Sequence, residues 1–125
     1  MAIPERKELN PAYTWSLEDL FECDEAWEQE FEWDRDYLDM VKDYEGCLGD
    51  SARMLLNYLR LKDEMSEVFD RMANYAFRRA DEDTRQPGPQ AMCARLGNFL
   101  TQLNTAGSFS TNEILAIPDE RLEQF

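Results

Sequence analysis

Apolar and acidic residues alternate at helical spacing between Asp24 and Gly49. The apolar members recur at steps of three and four residues, and acids fill most of the positions between them. These apolar members are Trp27, Phe31, Tyr37, Leu38, Val41 and Tyr44. Asp24 has the chemistry of a helix N-cap, and Gly46 and Gly49 suit a helix exit. The pattern therefore predicts one amphipathic helix across this stretch.

The segment from Ser51 to Ala80 contains neither Gly nor Pro and shows two stripes at helical spacing. The first stripe consists of Leu55, Leu59, Lys62, Ser66, Phe69, Ala73 and Ala76. The second consists of Met54, Tyr58, Leu61, Met65, Val68, Met72 and Tyr75. Because an α-helix rises ~1.5 Å per residue, this segment predicts a helix about 45 Å long. Two stripes predict neighbours on more than one side of it.

Pro87 and Pro89 predict the end of this helix, because proline lacks a backbone donor and disfavours helix in the residue before it. A further helix is predicted from about Gln90 to Thr105, with Gly97 allowing close approach to the long helix. Its inward residues are predicted to be Met92, Leu96, Phe99, Leu100 and Leu103.

Short elements are predicted at both ends of the chain. Ser16, with Asp19 three residues later, predicts the start of a short helix, and the residues before it look extended. Thr111 is a candidate cap, and Pro118 suits the opening of a last helix. That helix shows no stop signal before Phe125, so we expect the sequence to belong to a longer protein.

These elements predict an all-α fold, an antiparallel helical bundle built on one long central helix with helical hairpin connections. We divide the chain into an extended N-terminal segment, residues 1–12, and one helical domain, residues 13–125. Neither a repeat of about 20 to 50 residues nor β-type alternation competes with this interpretation. A chain of 125 residues suits one domain with one core.

The charge is strongly acidic and unevenly distributed. The net charge is −14, and residues 18–45 contribute −11 of it through thirteen acids against two bases. Because nucleic acids and anionic membranes are bound through clustered Lys and Arg, neither is expected as a partner. An apolar content of 43% still predicts a folded protein. With no run of about 20 apolar residues and no apolar signal stretch near the start, we expect a cytoplasmic location.

The chain contains no His, which excludes an H-E-x-x-H zinc motif, a Ser-His-Asp triad and a Cys-His dyad from these residues. Cys23, Cys47 and Cys93 are too widely spaced for a metal motif, and we interpret them as reduced thiols with packing roles. We therefore assign no catalytic, cofactor-binding or metal-binding residue.

Carboxylate pairs are frequent, for example Glu28 with Glu32 and Asp36 with Asp39. Such pairs serve acid-base chemistry or metal binding when a shielded site shifts their pKa values. These pairs are expected on the solvated face of a surface helix. We interpret them as surface charge.

The acids at residues 81–83 resemble the start of a calcium-binding loop, but Pro87 and Pro89 interrupt the ligand spacing. We expect a polar helix end instead, with Asp83 or Thr84 accepting hydrogen bonds from N–H groups of the turn. Four methionines are assigned to core packing, with an adaptable docking surface as the alternative. They are Met54, Met65, Met72 and Met92.

Ordered motifs along almost the whole chain resemble one family. They are Tyr13-Thr14-Trp15-Ser16-Leu17-Glu18-Asp19-Leu20-Phe21, Asp24-Glu25-Ala26-Trp27, Tyr44-Glu45-Gly46-Cys47-Leu48-Gly49, Tyr75-Ala76, Asp81-Glu82-Asp83-Thr84 and Glu113-Ile114-Leu115-Ala116-Ile117-Pro118. In order and spacing they resemble the opening region of oligoendopeptidase F-type peptidases, within the thimet oligopeptidase-like zinc metallopeptidases. The similarity extends from about Tyr13 to Phe125, which makes it more specific than any single motif.

The resemblance implies a zinc peptidase that cuts short peptides. In such a protein an N-terminal helical domain packs over a larger helical catalytic domain and helps to enclose the substrate channel. The resemblance also implies that zinc, its ligands and the catalytic glutamate belong to a C-terminal catalytic domain beyond these residues. The implied partners are that domain and the oligopeptide substrates of the parent protein.

Two other functions are compatible with these residues. An independent acidic helical interaction module would use the acidic face of the helix predicted from Asp24 to hold a basic or amphipathic partner. A small hydrolase that uses carboxylates alone is the third interpretation. If the chain is a domain separated from its catalytic partner, we expect exposed apolar residues that favour self-association or binding of a hydrophobic dye.

Overall fold

The computed structural model describes residues 2–125, and these residues form helices and no strand. The α-helices are α1 (Asp24–Asp34), α2 (Tyr37–Lys42), α3 (Ala52–Glu82), α4 (Pro87–Ala106), α5 (Phe109–Leu115) and α6 (Asp119–Gln124). In the described part before α1, short 3-10 turns are found at Arg6–Glu8, Pro11–Tyr13 and Leu17–Asp19. The all-α prediction is confirmed.

The long central helix is observed as α3, which at ~1.5 Å per residue is about 46 Å long. It begins where the Ser51 side chain accepts a hydrogen bond from Met54 N at 3.1 Å. Both predicted stripes contribute to its buried side, and α2 and α4 pack against it. The buried residues of α3 are Tyr58, Leu61, Phe69, Met72, Tyr75, Ala76 and Ala80.

The turn at residues 83–86 connects α3 to α4, which packs against it. Asp83 accepts a hydrogen bond from Arg85 N at 3.0 Å, so the prediction of a turn acceptor is confirmed for Asp83. The predicted start of α4 was wrong, because the helix begins at Pro87 rather than near Gln90. Proline is tolerated at the first helical position, since its missing N–H would have no helical partner there.

The single helix predicted for the acidic stretch is observed as two helices, so that prediction was wrong. The residues between α1 and α2 form 3-10 hydrogen bonds. Asp36 N donates to Trp33 O at 3.3 Å, and Leu38 N donates to Arg35 O at 3.2 Å. A 3-10 segment has fewer residues per turn than an α-helix. It therefore changes which of the side chains after it face the core.

The division between α1 and α2 changes which side chains reach the core. At about 100° per residue, Leu38 would share the face of Phe31 in an uninterrupted helix, and Tyr37 would lie about 120° away. The 3-10 turn rotates the chain further. Tyr37 and Val41 are therefore buried, while Leu38 is half-buried.

The predicted N-cap of α1 was also wrong. Cys23 has the extended backbone of the cap position, with φ −158° and ψ 172°, and Asp24 is the first residue of α1. The Asp24 carboxylate accepts hydrogen bonds from Arg79 of α3, and no side chain in the described part of the chain caps the N-terminus of α1. A short helix does begin after Ser16, as predicted, but it is the 3-10 turn Leu17–Asp19 and the Ser16 side chain makes no capping hydrogen bond.

The segment at residues 1–12 was expected to be extended. Met1 lies outside the described residues. The remainder combines extended residues, Glu5 and Leu9 among them, with two of the 3-10 turns. Arg6 joins this segment to α3 through an ion pair with Glu82.

Aromatic rings connect the first four α-helices in the core. Trp27 is fully buried and stacks on Phe31, with ring centroids 5.4 Å apart. Phe31 meets Phe99 of α4 edge-on at 5.7 Å. Phe69 of α3 lies 5.7 Å from Phe99 and 5.9 Å from Tyr37 of α2. Each such pair adds about 0.5–1.5 kcal/mol beyond the burial of its area, so the cluster favours one arrangement of these helices.

Gly97 was predicted to allow close approach of α4 to α3, and this was wrong. Gly97 is exposed, and a Cβ there would meet nothing within 4 Å. At Gly107, which follows α4, a Cβ would lie at an ordinary contact distance, 3.5 Å from the Tyr58 hydroxyl.

At the C-terminal end, Thr111 caps no helix, because α5 begins at Phe109 and contains it. The last helix, α6, follows Pro118 as predicted. None of the helices in the described residues is long and apolar enough to cross a membrane.

The sulfur-containing residues follow the predictions in part. All three cysteines are free. Cys47 and Cys93 are half-buried, but Cys23 is exposed, so a packing role was wrong for that residue. Met72 and Met92 are buried as predicted, and the other two methionines of that group are half-buried.

Candidate functional site

The described residues contain no group of three or more His, Cys, Asp or Glu side chains that could hold a metal ion. The carboxylate pairs noted in the sequence lie at the surface. Glu28 pairs with Arg95 of α4, and Glu32 lies 3.4 Å from Arg35. Asp36 and Asp39, the other carboxylate pair, are both exposed. Any function of the described residues therefore depends on the contacts between helices and on the exposed surface.

Asp24, at the start of α1, joins that helix to the last third of α3. Its carboxylate accepts hydrogen bonds from the Tyr75 hydroxyl at 2.6 Å and from Arg79 Nε and Nη2 at 3.0 and 2.9 Å. The Arg79 hydrogen bonds, helped by Tyr75 and opposed by burial, hold the pKa of Asp24 below its usual range. Arg79 also pairs with Glu82 at 2.9 Å. We call these four residues the Asp24 junction.

The Asp24 junction continues into the N-terminal segment and along α1. Arg6 Nε lies 2.8 Å from Glu82, and Arg6 Nη2 donates to the Trp15 carbonyl at 3.0 Å. One turn along α1, the buried Trp27 Nε1 donates to Met72 O at 3.0 Å. Four of the sequence motifs therefore meet at the C-terminal end of α3.

The two remaining motifs meet at the other end of α3. The Glu113 carboxylate accepts hydrogen bonds from Gly46 N at 2.8 Å and from Leu48 N at 3.3 Å. Gly46 has a φ of 84°, in the left-handed region that favours glycine. Arg121 Nε donates to Gly49 O at 2.7 Å. These contacts, which we call the Glu113 junction, hold α5 and α6 against the turn before α3.

Asp34 is a buried acid that the sequence interpretation missed. It is 7% exposed, although the acids of this stretch were expected on a solvated face, and its Oδ2 has no hydrogen-bond partner among the described residues. Burial, reinforced by Glu30 and opposed by Arg71, raises its pKa to about 6. The spacing contained the signal, since Asp34 lies three residues after Phe31 and four before Leu38 on the apolar stripe.

Two tryptophans are exposed although Trp27 is fully buried. Trp15 is 82% exposed and Trp33 is 64% exposed. Trp15 and Arg78 border a groove of about 690 Å³, whereas Trp33 and Arg71 border a shallower groove of about 350 Å³. Leu20 lines both grooves, so the two grooves adjoin at this side chain. We call Trp15, Leu20, Trp33 and the two arginines the indole face.

The described residues define an all-α domain with two polar junctions and an open apolar face. Over nearly its whole length the chain is similar to peptidases. It is 37% identical over 123 residues to oligopeptidase PepF of Bacillus subtilis, a match that covers 98% of this chain and 18% of that protein. It is 26% identical over 120 residues to group B oligopeptidase PepB of Streptococcus agalactiae, covering 96% of this chain and 20% of that protein.

Chromosomal oligoendopeptidase F of Lactococcus lactis subsp. cremoris is 33% identical over 85 residues, which is 67% of this chain and 14% of that protein. No model of a protein family matches the chain, and no solved structure matches it. The resemblance to oligoendopeptidase F-type peptidases is confirmed by these relatives. The chain spans about a fifth of the length of the curated relatives it matches.

Proposed function

We propose that this chain is the non-catalytic N-terminal helical domain of a longer zinc metalloendopeptidase of the oligoendopeptidase F type, which hydrolyses short peptides. In this proposal residues 13–125 form the domain and residues 1–12 form a segment that leads into it. The observation that carries the proposal is the similarity to peptidases of which the chain covers only 14–20%.

The chemistry of the reaction would belong to the rest of the parent protein. Zinc, its ligands and the catalytic glutamate would be supplied by a C-terminal catalytic domain, and a chain without His is compatible with that division. The partners of this domain would be that catalytic domain and the oligopeptide substrates. A cytoplasmic location belongs to the same proposal.

The domain would act as one wall of the substrate channel. A wall that admits short peptides and excludes bulky chains must keep its shape when a substrate enters. The Asp24 junction fixes α1 to α3, and the Glu113 junction fixes α5 to the turn before α3. These contacts support a stiff wall, whose residues would act by position and not by proton transfer.

A chimeric protein tests this proposal. The matched segment of the Bacillus subtilis relative is replaced by this chain, and hydrolysis of a short peptide is compared with that by the relative lacking the segment. We expect the chimera to retain activity within about tenfold of the natural relative and the deletion to lose about 100-fold or more, because misplaced catalytic geometry costs that much. A chimera that folds but is as inactive as the deletion would contradict the proposal.

An independent acidic interaction module is the second candidate function. The concentration of −11 net charge in residues 18–45 favours it, because such a face attracts basic partners. The chimera separates the two candidates. A module with its own partner would not restore peptidase activity to the relative.

A further inference from the structure

We propose that the indole face is the surface through which this domain docks on the rest of the parent peptidase, against a positively charged patch of that polypeptide. The inference rests on the proposed function. It adds the face that is used and the chemistry of the surface that it meets.

The indole face has the composition of an interface. Trp15 and Trp33 are largely exposed, and Leu20 lies in the grooves between them. Trp and Arg are the residues most enriched where binding energy concentrates in protein interfaces. Arg71 and Arg78 lie seven residues apart on α3, so they share one side of that helix. Together these side chains form one surface with two apolar anchors.

One arginine of the indole face, Arg71, is held in place before any partner binds. Arg71 lies 3.2 Å from Glu30 and has its guanidinium 4.9 Å from the centre of the Phe21 ring. Arg78 lies 3.8 Å from Asp81. Because ordering long side chains is one of the costs of binding, a face that is already ordered binds more readily.

The residual charge of the indole face is negative. This charge favours a basic surface over a second copy of the chain as the occupant. Its arginines are already paired with acids, whereas Asp19 and Glu22, which line the same grooves, form no ion pair among the described residues. A second copy of the chain would bring two such faces, and two segments of −11 net charge, against each other. A basic surface is the complementary partner.

The parent polypeptide would supply the partner surface within the same chain. More than four-fifths of the Bacillus subtilis relative lies outside the matched segment, since the match covers 18% of that protein. A domain joined covalently to its partner docks at a high effective concentration, so a face of moderate size is sufficient. Two indoles and a negative rim fit that requirement.

Hydroxyl-radical footprinting read by mass spectrometry tests the docking directly. It compares side-chain reactivity in this chain alone with reactivity in the chimera described above. We expect Trp15 and Trp33 to be about fivefold or more less reactive in the chimera, because a docked hot spot excludes water. Leu115, which is 78% exposed and lines neither groove, is the internal control and should change by less than about twofold.

A double variant, Trp15→Ser with Trp33→Ser, gives a second readout. It should lower the Tm of the chimera by about 3 °C or more and leave the Tm of the isolated chain within about 1 °C, since both rings are exposed there. Leu115→Ser is the matched control and should change neither Tm.

The outcomes separate this inference from the proposed function. An active chimera whose two indoles remain as reactive as in the isolated chain overturns the docking inference alone. A chimera that neither folds cooperatively nor cleaves peptide contradicts the proposed function, and the docking inference with it. Dimers of the isolated chain that the double variant no longer forms, detected by sedimentation, would overturn the inference in favour of a second copy.

Discussion

Asp34 is surrounded on two helices by groups that decide its protonation. Burial opposes the ionisation of Asp34 most strongly, Glu30 on its own helix and Glu64 on α3 add to that effect, and Arg71 of α3 favours ionisation. Glu64 is held near by the Tyr37 hydroxyl of α2, which donates to it at 2.7 Å. The folded protein therefore favours the protonated carboxyl, and at neutral pH the ionised form lowers stability.

Replacing Asp34 by Asn should stabilise the protein at pH 8 by up to about 3 kcal/mol, because the pKa rises by about two units and one unit corresponds to about 1.4 kcal/mol. The pKa rises from an ordinary 3.8 to about 6 on folding, so the folded state binds the proton more tightly. Stability therefore falls as the pH rises from about 4 to about 6. The gain from the substitution should shrink to about half near pH 5, as measured by urea unfolding.

Asp36→Asn is the matched control, since Asp36 lies two residues away and is exposed. It should change the free energy of unfolding by less than about 0.5 kcal/mol at both pH values. If Asp34→Asn gave the same gain at pH 5 as at pH 8, or destabilised the protein at pH 8, the buried ionised carboxylate would not be the cause.

At the scale of single residues, the local sequence around Asp24 predicts the start of a helix but not the residues that Asp24 contacts. An acid before an apolar helical run indicated correctly that a helix begins here. Its partners, Tyr75 and Arg79, lie 51 and 55 residues further along the chain, and no periodicity encodes contacts at that separation. The candidate site was therefore predictable as a set of motifs, but the way in which those motifs meet required the fold.

At the scale of helices, the long pattern was predicted well and the short ones were not. The 31 residues of α3 repeat their stripes over many turns, and the expected bounds agree closely with Ala52–Glu82. The break between α1 and α2 depends on whether Tyr37 or its neighbour Leu38 enters the core. That choice is made by the aromatic rings of α3 and α4, which the local sequence does not contain.

Gly46→Ala tests the turn that the Glu113 junction holds. The substitution should cost about 1–2 kcal/mol, because L residues are strained in the left-handed region, even though a Cβ would meet nothing within 4 Å. Gly97→Ala is the matched control, since it also has open space and lies in the interior of α4. It should stabilise the protein by up to about 1 kcal/mol, because Ala favours helix.

Urea unfolding of the two glycine variants measures both effects under one condition. Opposite signs are expected. If the two variants changed stability equally, the turn would not depend on the left-handed backbone of Gly46, whose N–H donates to the Glu113 carboxylate.

At the scale of the whole molecule, the two junctions lie at opposite ends of α3, and the indole face lies along its C-terminal half. The motifs that identified the family are thus contacts that build the domain. This explains how a chain without His can share strong similarity with peptidases. In the proposed function this domain would supply the shape of a channel wall, and the chemistry would belong to the rest of the parent protein.

The most direct test of this account is the size selectivity of the chimera between this chain and the Bacillus subtilis relative. Its rates on a short peptide and on a long unfolded protein are measured side by side, with the natural relative as reference. We predict that the chimera cleaves the short peptide and discriminates against the long chain by about 100-fold or more. Comparable rates on both substrates, or no cleavage of either by a folded chimera, would contradict the account.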